Sequence, residues 1–337
     1  MKKIKVMVVD DSLFYRELLA RGIASDARIE VVATAANPFE ARDKIIEYRP
    51  DVMTCDVEMP KMNGIEFIRK LIPQYPLPVI VISAVNHTVF DALEAGAVDF
   101  VAKPEAATAQ GLDTFITDLI YKIKIASVAR IMRRQPTFVE KPGSTPAMSN
   151  ARIIAIGAST GGTEAVLNVI KSLPNSVPGI VVVQHIPPLF SRLFAERLNR
   201  ETVFVVKEIQ GEAWLEAGQV LVAPGNQHIK VKQQGDRLKV VSYLGEKVNG
   251  HCPSVDVLFE SVAEQACPRA VGVLLTGMGA DGAKGLLAMR RAGARTIGQD
   301  EASSVVYGMP KVAYNLGAVE KQAALENIPH LISTFLN

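Results

Sequence analysis

The 337-residue chain carries 37 Lys and Arg against 35 Asp and Glu, a formal net charge of +2, with 48% hydrophobic and 21% charged residues. Its length exceeds one ordinary core and predicts two domains; its balanced charge excludes a global basic excess that would steer it to nucleic acid. No apolar run approaches the roughly 20 residues of a membrane helix, and Met1-Lys2-Lys3 leads straight into a short strand, so a cytoplasmic protein without signal peptide or membrane insertion is expected. Cys55, Cys252 and Cys267 are odd in number and lack C-x-x-C spacing, which points to packing residues rather than a disulfide framework or a zinc site.

In chain order, β-branched runs at 4–9, 29–34, 51–55, 78–82 and 98–101 alternate with helical stretches. This rhythm predicts βα units around a parallel sheet with helices on both faces. A last helix is expected from about Leu112 into Arg134, and Gln135 to Asn150, rich in Pro, Gly and Ser, reads as a linker. The expected divisions are 1–125, 126–150 for the helix end and linker, and 151–337. The second division repeats the alternation, with strands near 153–156, 180–183, 203–206, 220–222, 271–276 and 295–297 and helices near 163–172, 191–199, 255–265 and 282–292. Between them, 228–232 and 238–242 flank Gly235-Asp236 as a hairpin, expected as an antiparallel addition to the sheet.

In the first domain Asp10 and Asp11 follow the first strand, Asp56 the third, Ser83 the fourth, and Lys103-Pro104 the fifth. An open parallel sheet gathers these positions at the carboxyl ends of its strands. Clustered carboxylates repel unless a divalent cation joins them, and oxygen ligands favour Mg²⁺. Lys103 supplies positive charge and Ser83 a hydroxyl donor for an incoming phosphoryl group. These residues resemble the receiver domain of two-component response regulators, a five-stranded, doubly wound, flavodoxin-like fold. The resemblance implies that Asp56 accepts the phosphoryl group, that Asp10, Asp11 and Asp56 form the Mg²⁺ site, and that Ser83 and Lys103 contact the phosphoryl group. Phe100 takes the aromatic switch position without a tyrosine hydroxyl, so switching would rest on burying or exposing a ring.

In the second domain, Gly157-Ala158-Ser159-Thr160-Gly161 matches G-x-S-x-G after an apolar strand. Small neighbours let the chain turn sharply and present the serine hydroxyl, although the same residues suit a purely structural strand-to-helix turn. A phosphate loop is disfavoured, because Thr163-Glu164 stands where Lys-Ser/Thr is needed, and Ser159 breaks the dinucleotide pattern. A serine nucleophile needs a base and the base an orienting acid. His185 follows the 180–183 strand, while His228 and His251 read as surface or hydrogen-bonded structural histidines, and His87 and His330 lie in the receiver and the tail. For the acid, Asp281 lies in the glycine-rich run Thr276 to Gly282 after the 271–275 strand, where it would orient the histidine through Nδ1 or else cap the following helix; Asp300 is its rival. N–H groups of the same run could face an oxyanion.

Together with Gln184-His185-Ile186-Pro187-Pro188, Ala223-Pro224-Gly225, Pro253-Ser254-Val255-Asp256 and Val306-Tyr307-Gly308-Met309-Pro310, these motifs resemble the catalytic domain of the protein-glutamate methylesterases of bacterial chemotaxis. The resemblance implies an α/β methylesterase domain with a mostly parallel sheet, with Ser159 as nucleophile, His185 as general base, Asp281 as orienting acid and the backbone near Met278 at the oxyanion. It further implies hydrolysis of glutamate γ-methyl esters on chemoreceptors, glutamine deamidation, no cofactor for hydrolysis, and a histidine kinase as phosphodonor. A receiver joined to a hydrolase is expected to cover the active-site mouth until Asp56 is phosphorylated. A DNA-binding output domain is disfavoured, since 151–337 is strand-rich and of ordinary charge.

Overall fold

The structure, a computed structural model, describes residues 2–84, 88–104, 108–131 and 153–336. The linker Gln135 to Asn150, the boundary residue Ala151 and His87 lie outside the described residues. The chain divides into two compact units, Met1–Gln135 and Pro136–Asn337. No helix among the described residues is long and apolar enough to cross a membrane.

The first unit alternates β1 (Ile4–Val9), α1 (Leu13–Ile23), β2 (Ile29–Ala35), α2 (Pro38–Tyr48), β3 (Val52–Asp56), α3 (Gly64–Leu71), β4 (Val79–Ser83), α4 (Thr88–Glu94), β5 (Asp99–Ala102) and α5 (Ala109–Ala126). Its sheet is parallel in the order β2-β1-β3-β4-β5, the flavodoxin-like arrangement with its switch point between β1 and β3. Local chemistry sets the helix starts. Ser12, Asn37, Asn63 and Thr108 each accept a first-turn N–H at the N-cap, and Pro38 follows Asn37 where its missing N–H costs nothing. The helix expected to reach Arg134 ends instead at Ala126: the Ser127 N–H closes onto Ile123 and Ile125, and 127–131 is not helical. Apolar residues continue past this point, and composition alone cannot mark such a stop.

The second unit contains β6 (Ile153–Ala158), α6 (Gly162–Lys171), β7 (Ile180–Gln184), α7 (Pro188–Glu201), β8 (Val205–Glu208), β9 (Glu212–Trp214), β10 (Gln219–Val222), β11 (His228–Gln234), β12 (Arg237–Tyr243), α8 (Val255–Gln265), β13 (Ala270–Leu274), α9 (Ala283–Arg291), β14 (Arg295–Gln299), α10 (Met309–Asn315), β15 (Lys321–Ala323), a 3₁₀ turn at Leu325–Asn327 and α11 (Ile328–Leu336). Seven strands form a parallel sheet in the order β15-β14-β13-β6-β7-β10-β8. The hairpin β11–β12 does not extend this sheet. It pairs antiparallel with β9 in a separate three-stranded sheet, and buried Ile229, Val231, Leu238 and Val240 join the core with α8 residues Leu258, Phe259 and Val262. β9 and β15 span three residues each, too short to show alternation in the sequence.

β6 is the switch point, since its chain leaves toward β7 on one side and pairs with β13 on the other; in open α/β sheets ligands bind at the strand ends of such a point. Gly157, in β6, faces α8 so closely that a Cβ there would lie 2.2 Å from Val255 Cγ1. Gly157→Ala is therefore expected to destabilise the second unit by about 1–3 kcal/mol through overpacking, read as a lower urea midpoint at unchanged m-value.

Candidate functional site

Ser159 leaves β6 in a three-residue turn to α6, with Gly161 at φ 75, a conformation that favours glycine. The Ser159 carbonyl accepts from Gly162 N (2.7 Å) and from Gln184 Nε2 (2.8 Å); Gln184, which ends β7, also donates to the His185 carbonyl. The His185 N–H donates to the Ala158 carbonyl at 3.1 Å. Parallel pairing of β6 with β7 thus carries the serine and histidine turns side by side. On the other flank, Ser159 N donates to Thr276 O at 3.0 Å, and a Cβ on Gly277 would lie 2.6 Å from Ser159 Cβ. Only glycine lets the β13 loop come this close to the serine. No hydrogen bond uses the Met278 N–H among the described residues, and Met278 itself is exposed.

Asp281 ends that loop, fully buried, and its carboxylate gathers five donors. Oδ2 accepts from Val255 N (2.7 Å) and meets His185 Nε2 (2.9 Å); Oδ1 accepts from Ser254 Oγ (2.7 Å), Asn249 Nδ2 (2.8 Å) and Asp256 N (3.3 Å). Val255 and Asp256 open α8, so the carboxylate occupies a helix N-terminus, where unpaired N–H groups and the dipole favour an anion. Burial alone would raise its pKa, but His185 and the Asn249 and Ser254 bonds outweigh this and hold it well below the usual carboxylate range. Two expectations change here. The histidine meets the acid through Nε2 rather than Nδ1, leaving Nδ1 buried without a partner. Asp281 also caps the preceding helix rather than the following one: Gly282, at φ 86, starts α9 with no side-chain cap.

In the first unit one carboxylate oxygen from each of Asp10, Asp11 and Asp56 lies within 4.8 Å of the others. Lys103 Nζ donates to Asp56 Oδ2 at 2.6 Å and stands 3.1 Å from Asp10 Oδ2. Burial would lower the lysine's pKa, yet its contacts with Asp56 and Asp10 raise it, while burial and then Asp56 push Asp10 upward. Asp10 Oδ2 is buried with no aligned hydrogen-bond donor. That anionic oxygen, ion-paired with Lys103 but without an aligned hydrogen bond, lies beside two more carboxylates and fits a hard divalent cation with oxygen ligands. Ser83, buried at the end of β4, has its hydroxyl 3.4 Å from that of Thr88, and Phe100 is buried in β5 with Lys122 Nζ 4.9 Å from its ring centre.

The CheB methylesterase family model matches residues 154–332, and the response regulator receiver domain model matches 6–112. The chain is 58% identical over 337 residues to a protein-glutamate methylesterase/protein-glutamine glutaminase of Syntrophomonas wolfei, covering all of this chain and 99% of that one. It is 44% identical to the counterpart from Salmonella typhimurium, over 97% and 95% of the two chains. The crystal structure of the Thermotoga maritima CheB methylesterase catalytic domain superposes with a TM-score of 0.53 at 34% identity, covering 54% of this chain and 97% of that one. The chain belongs to the CheB methylesterase family.

Within this family member, the rivals for the acid and base take other work. Asp300 accepts from Ser303 N and Oγ in its own turn. His228 is buried, with Nε2 at the Glu246 carbonyl (2.8 Å) and Nδ1 accepting from Ser254 N (3.2 Å), so it steadies the residue that holds Asp281. His251, by contrast, is no plain surface residue: its ring lies on that of His185. Sequence reasoning gave no role to Asn249 and left Ser254, Gln184 and Thr276 inside motifs. Ser254 had a legible signal, a serine directly before a helical run. Asn249 had none, for its amide bridges Asp281 and Asp256 (2.8 Å each) from a turn at φ 52. Asn249→Ala removes both donors, and an expected loss of about 1–3 kcal/mol is measurable as a lower urea midpoint; Asn249→Asp, adding a third carboxylate, should lose more at pH 7.

Proposed function

We propose that Ser159, His185 and Asp281 form the nucleophile, base and orienting acid of a hydrolase acting on glutamate γ-methyl esters of chemoreceptors. The observation that carries this reading is the His185 ring, fixed to Asp281 through Nε2 with a buried, unpartnered Nδ1 at the turn beside Ser159. Nδ1 takes the Ser159 proton as Oγ attacks the ester carbonyl, and the imidazolium is stabilised by Asp281. The tetrahedral oxyanion is met by backbone N–H groups, with Met278 N the best candidate. Collapse breaks the C–O bond to the methoxy group, which leaves as methanol with the proton from Nδ1. Water then gives a proton to Nδ1 and attacks the acyl–serine; collapse returns that proton to Ser159 and frees the glutamate as its carboxylic acid, which ionises to solvent. The same steps deamidate glutamine, with ammonia as the leaving group. Hydrolysis in this scheme uses protein groups alone.

The receiver supplies control. Asp56 accepts a phosphoryl group from a histidine kinase, Asp10, Asp11 and Asp56 would hold Mg²⁺, and Ser83 and Lys103 bind the phosphoryl oxygens. Held there, Mg²⁺ would supply positive charge beside the phosphoryl oxygens. The added charge at Asp56 draws Ser83 and Lys103 toward it, biasing the packing around Phe100 and shifting the population toward an active form.

Ser159→Ala should fold normally and release no methanol from methylated receptor membranes, since a small turn residue remains while the nucleophile is lost. Met278→Ala, which keeps the backbone N–H, should retain most activity; loss as complete as that of Ser159→Ala would assign the side chain instead. For control, a small phosphodonor should stimulate the wild-type chain and leave Asp56→Asn at its basal rate. Equal stimulation of both would remove Asp56 from the pathway.

A further inference from the structure

The turn that carries Asn249 to Asp281 also carries a histidine to His185. Val248 and His251 exchange backbone hydrogen bonds (2.9 and 3.0 Å) across Asn249 and Gly250, both at positive φ. This closed turn lays the His251 ring flat on the His185 ring, with centroids 3.8 Å apart and planes 8° from parallel. Two charged imidazoles would not sit so. Burial, then His185, push the His251 pKa down to about 4 against the opposing pull of Asp281, with Lys247 as the other charge acting on it.

His185 needs such a neighbour. Its only side-chain hydrogen bond among the described residues is at Nε2, since Nδ1 has no partner. One bond at one corner leaves a planar ring free to tilt about that corner, and a tilt changes where Nδ1 points. A flat face in van der Waals contact removes this freedom and keeps water off the ring.

We propose that His251 is a positioning residue for the hydrolytic reaction, its uncharged ring holding the plane of His185 so that Nε2 stays on Asp281 and Nδ1 stays available to Ser159. This rests on the reading of Ser159, His185 and Asp281 as the reacting set. In this role His251 acts through His185 and not on the substrate. The neutral face also accepts His185 when it becomes an imidazolium, because it adds no like charge and offers a π surface.

The test compares full-length wild type with His251→Ala, His251→Leu and His251→Phe, each with phosphodonor present, by methanol release from methylated receptor membranes. Ala removes the face and Leu fills its space without a flat surface; both are expected to lower kcat by roughly ten- to a hundredfold, the scale of a small misplacement, with KM nearly unchanged. Phe restores a flat, uncharged face and should bring kcat back to within a few-fold of wild type. If His251→Ala does not unfold cooperatively, the Leu and Phe variants decide alone. Wild-type kcat in His251→Leu, or a His251→Phe variant as slow as His251→Leu, overturns the positioning role. Methanol release by Ser159→Ala, run alongside, would instead overturn the nucleophile reading, so the two failures are distinct.

Discussion

One buried carboxylate organises the catalytic domain. Asp281 lies at the end of the β13 loop, yet its oxygens are held by the first N–H groups of α8, by the Ser254 cap and by Asn249, and its remaining contact is His185. A carboxylate taken out of water without such partners would protonate or force the fold apart. With them it remains an anion at a helix N-terminus, and the histidine inherits a fixed orientation. The close approach of β6 to α8 at Gly157, the left-handed turn at Gly282 and the tight turn at Asn249 all serve this meeting of a loop with a helix end.

The receiver presents the opposite electrostatic arrangement. There, among the described residues, Lys103 pairs with Asp10 and Asp56 while Asp11 lies beside them, and Asp10 retains a buried oxygen with no aligned donor. Negative charge outweighs positive charge around these three carboxylates, a balance that fits the cation and phosphoryl group proposed for this site. The catalytic domain, in contrast, satisfies its acid from its own backbone and side chains. One domain is built to respond to an arriving ligand, the other to keep a reactive geometry constant. This contrast follows from the count of charges and donors around each carboxylate.

Most of the architecture was legible because it depends on local signals. β-branched runs set most strands of both parallel sheets, and the stretches between them were read as helices. Ser159, His185 and Asp281 could be named as candidates because parallel strands expose their carboxyl-end turns at one edge: Ser159 and His185 directly follow β6 and β7, and Asp281 lies in the loop after β13. Three-residue strands at 212–214 and 321–323 carried too little pattern to be read. The hairpin was visible, but its placement in a separate sheet depends on β9 and on burial against α8, neither of which lies nearby in sequence. The helix end at Ala126 escaped because apolar residues continue beyond the stop.

Sequence alone thus determined which residue types stand at which strand ends, and through them the two domain classes and the candidate reacting groups. Only the tertiary structure decided which carboxylate meets the histidine, through which nitrogen, and what steadies the pair. Asp281 and Asp300 both follow strands; what separates them is that α8, some 25 residues upstream of Asp281, presents its N-terminus to one of them, while Asp300 is used up by its own turn. In the same way, His251 reads as an ordinary loop histidine until a turn at positive φ lays it against His185. Hydrogen-bond satisfaction and ring stacking depend on distances of a few ångströms between segments remote in sequence, and such distances exist only once the chain has packed.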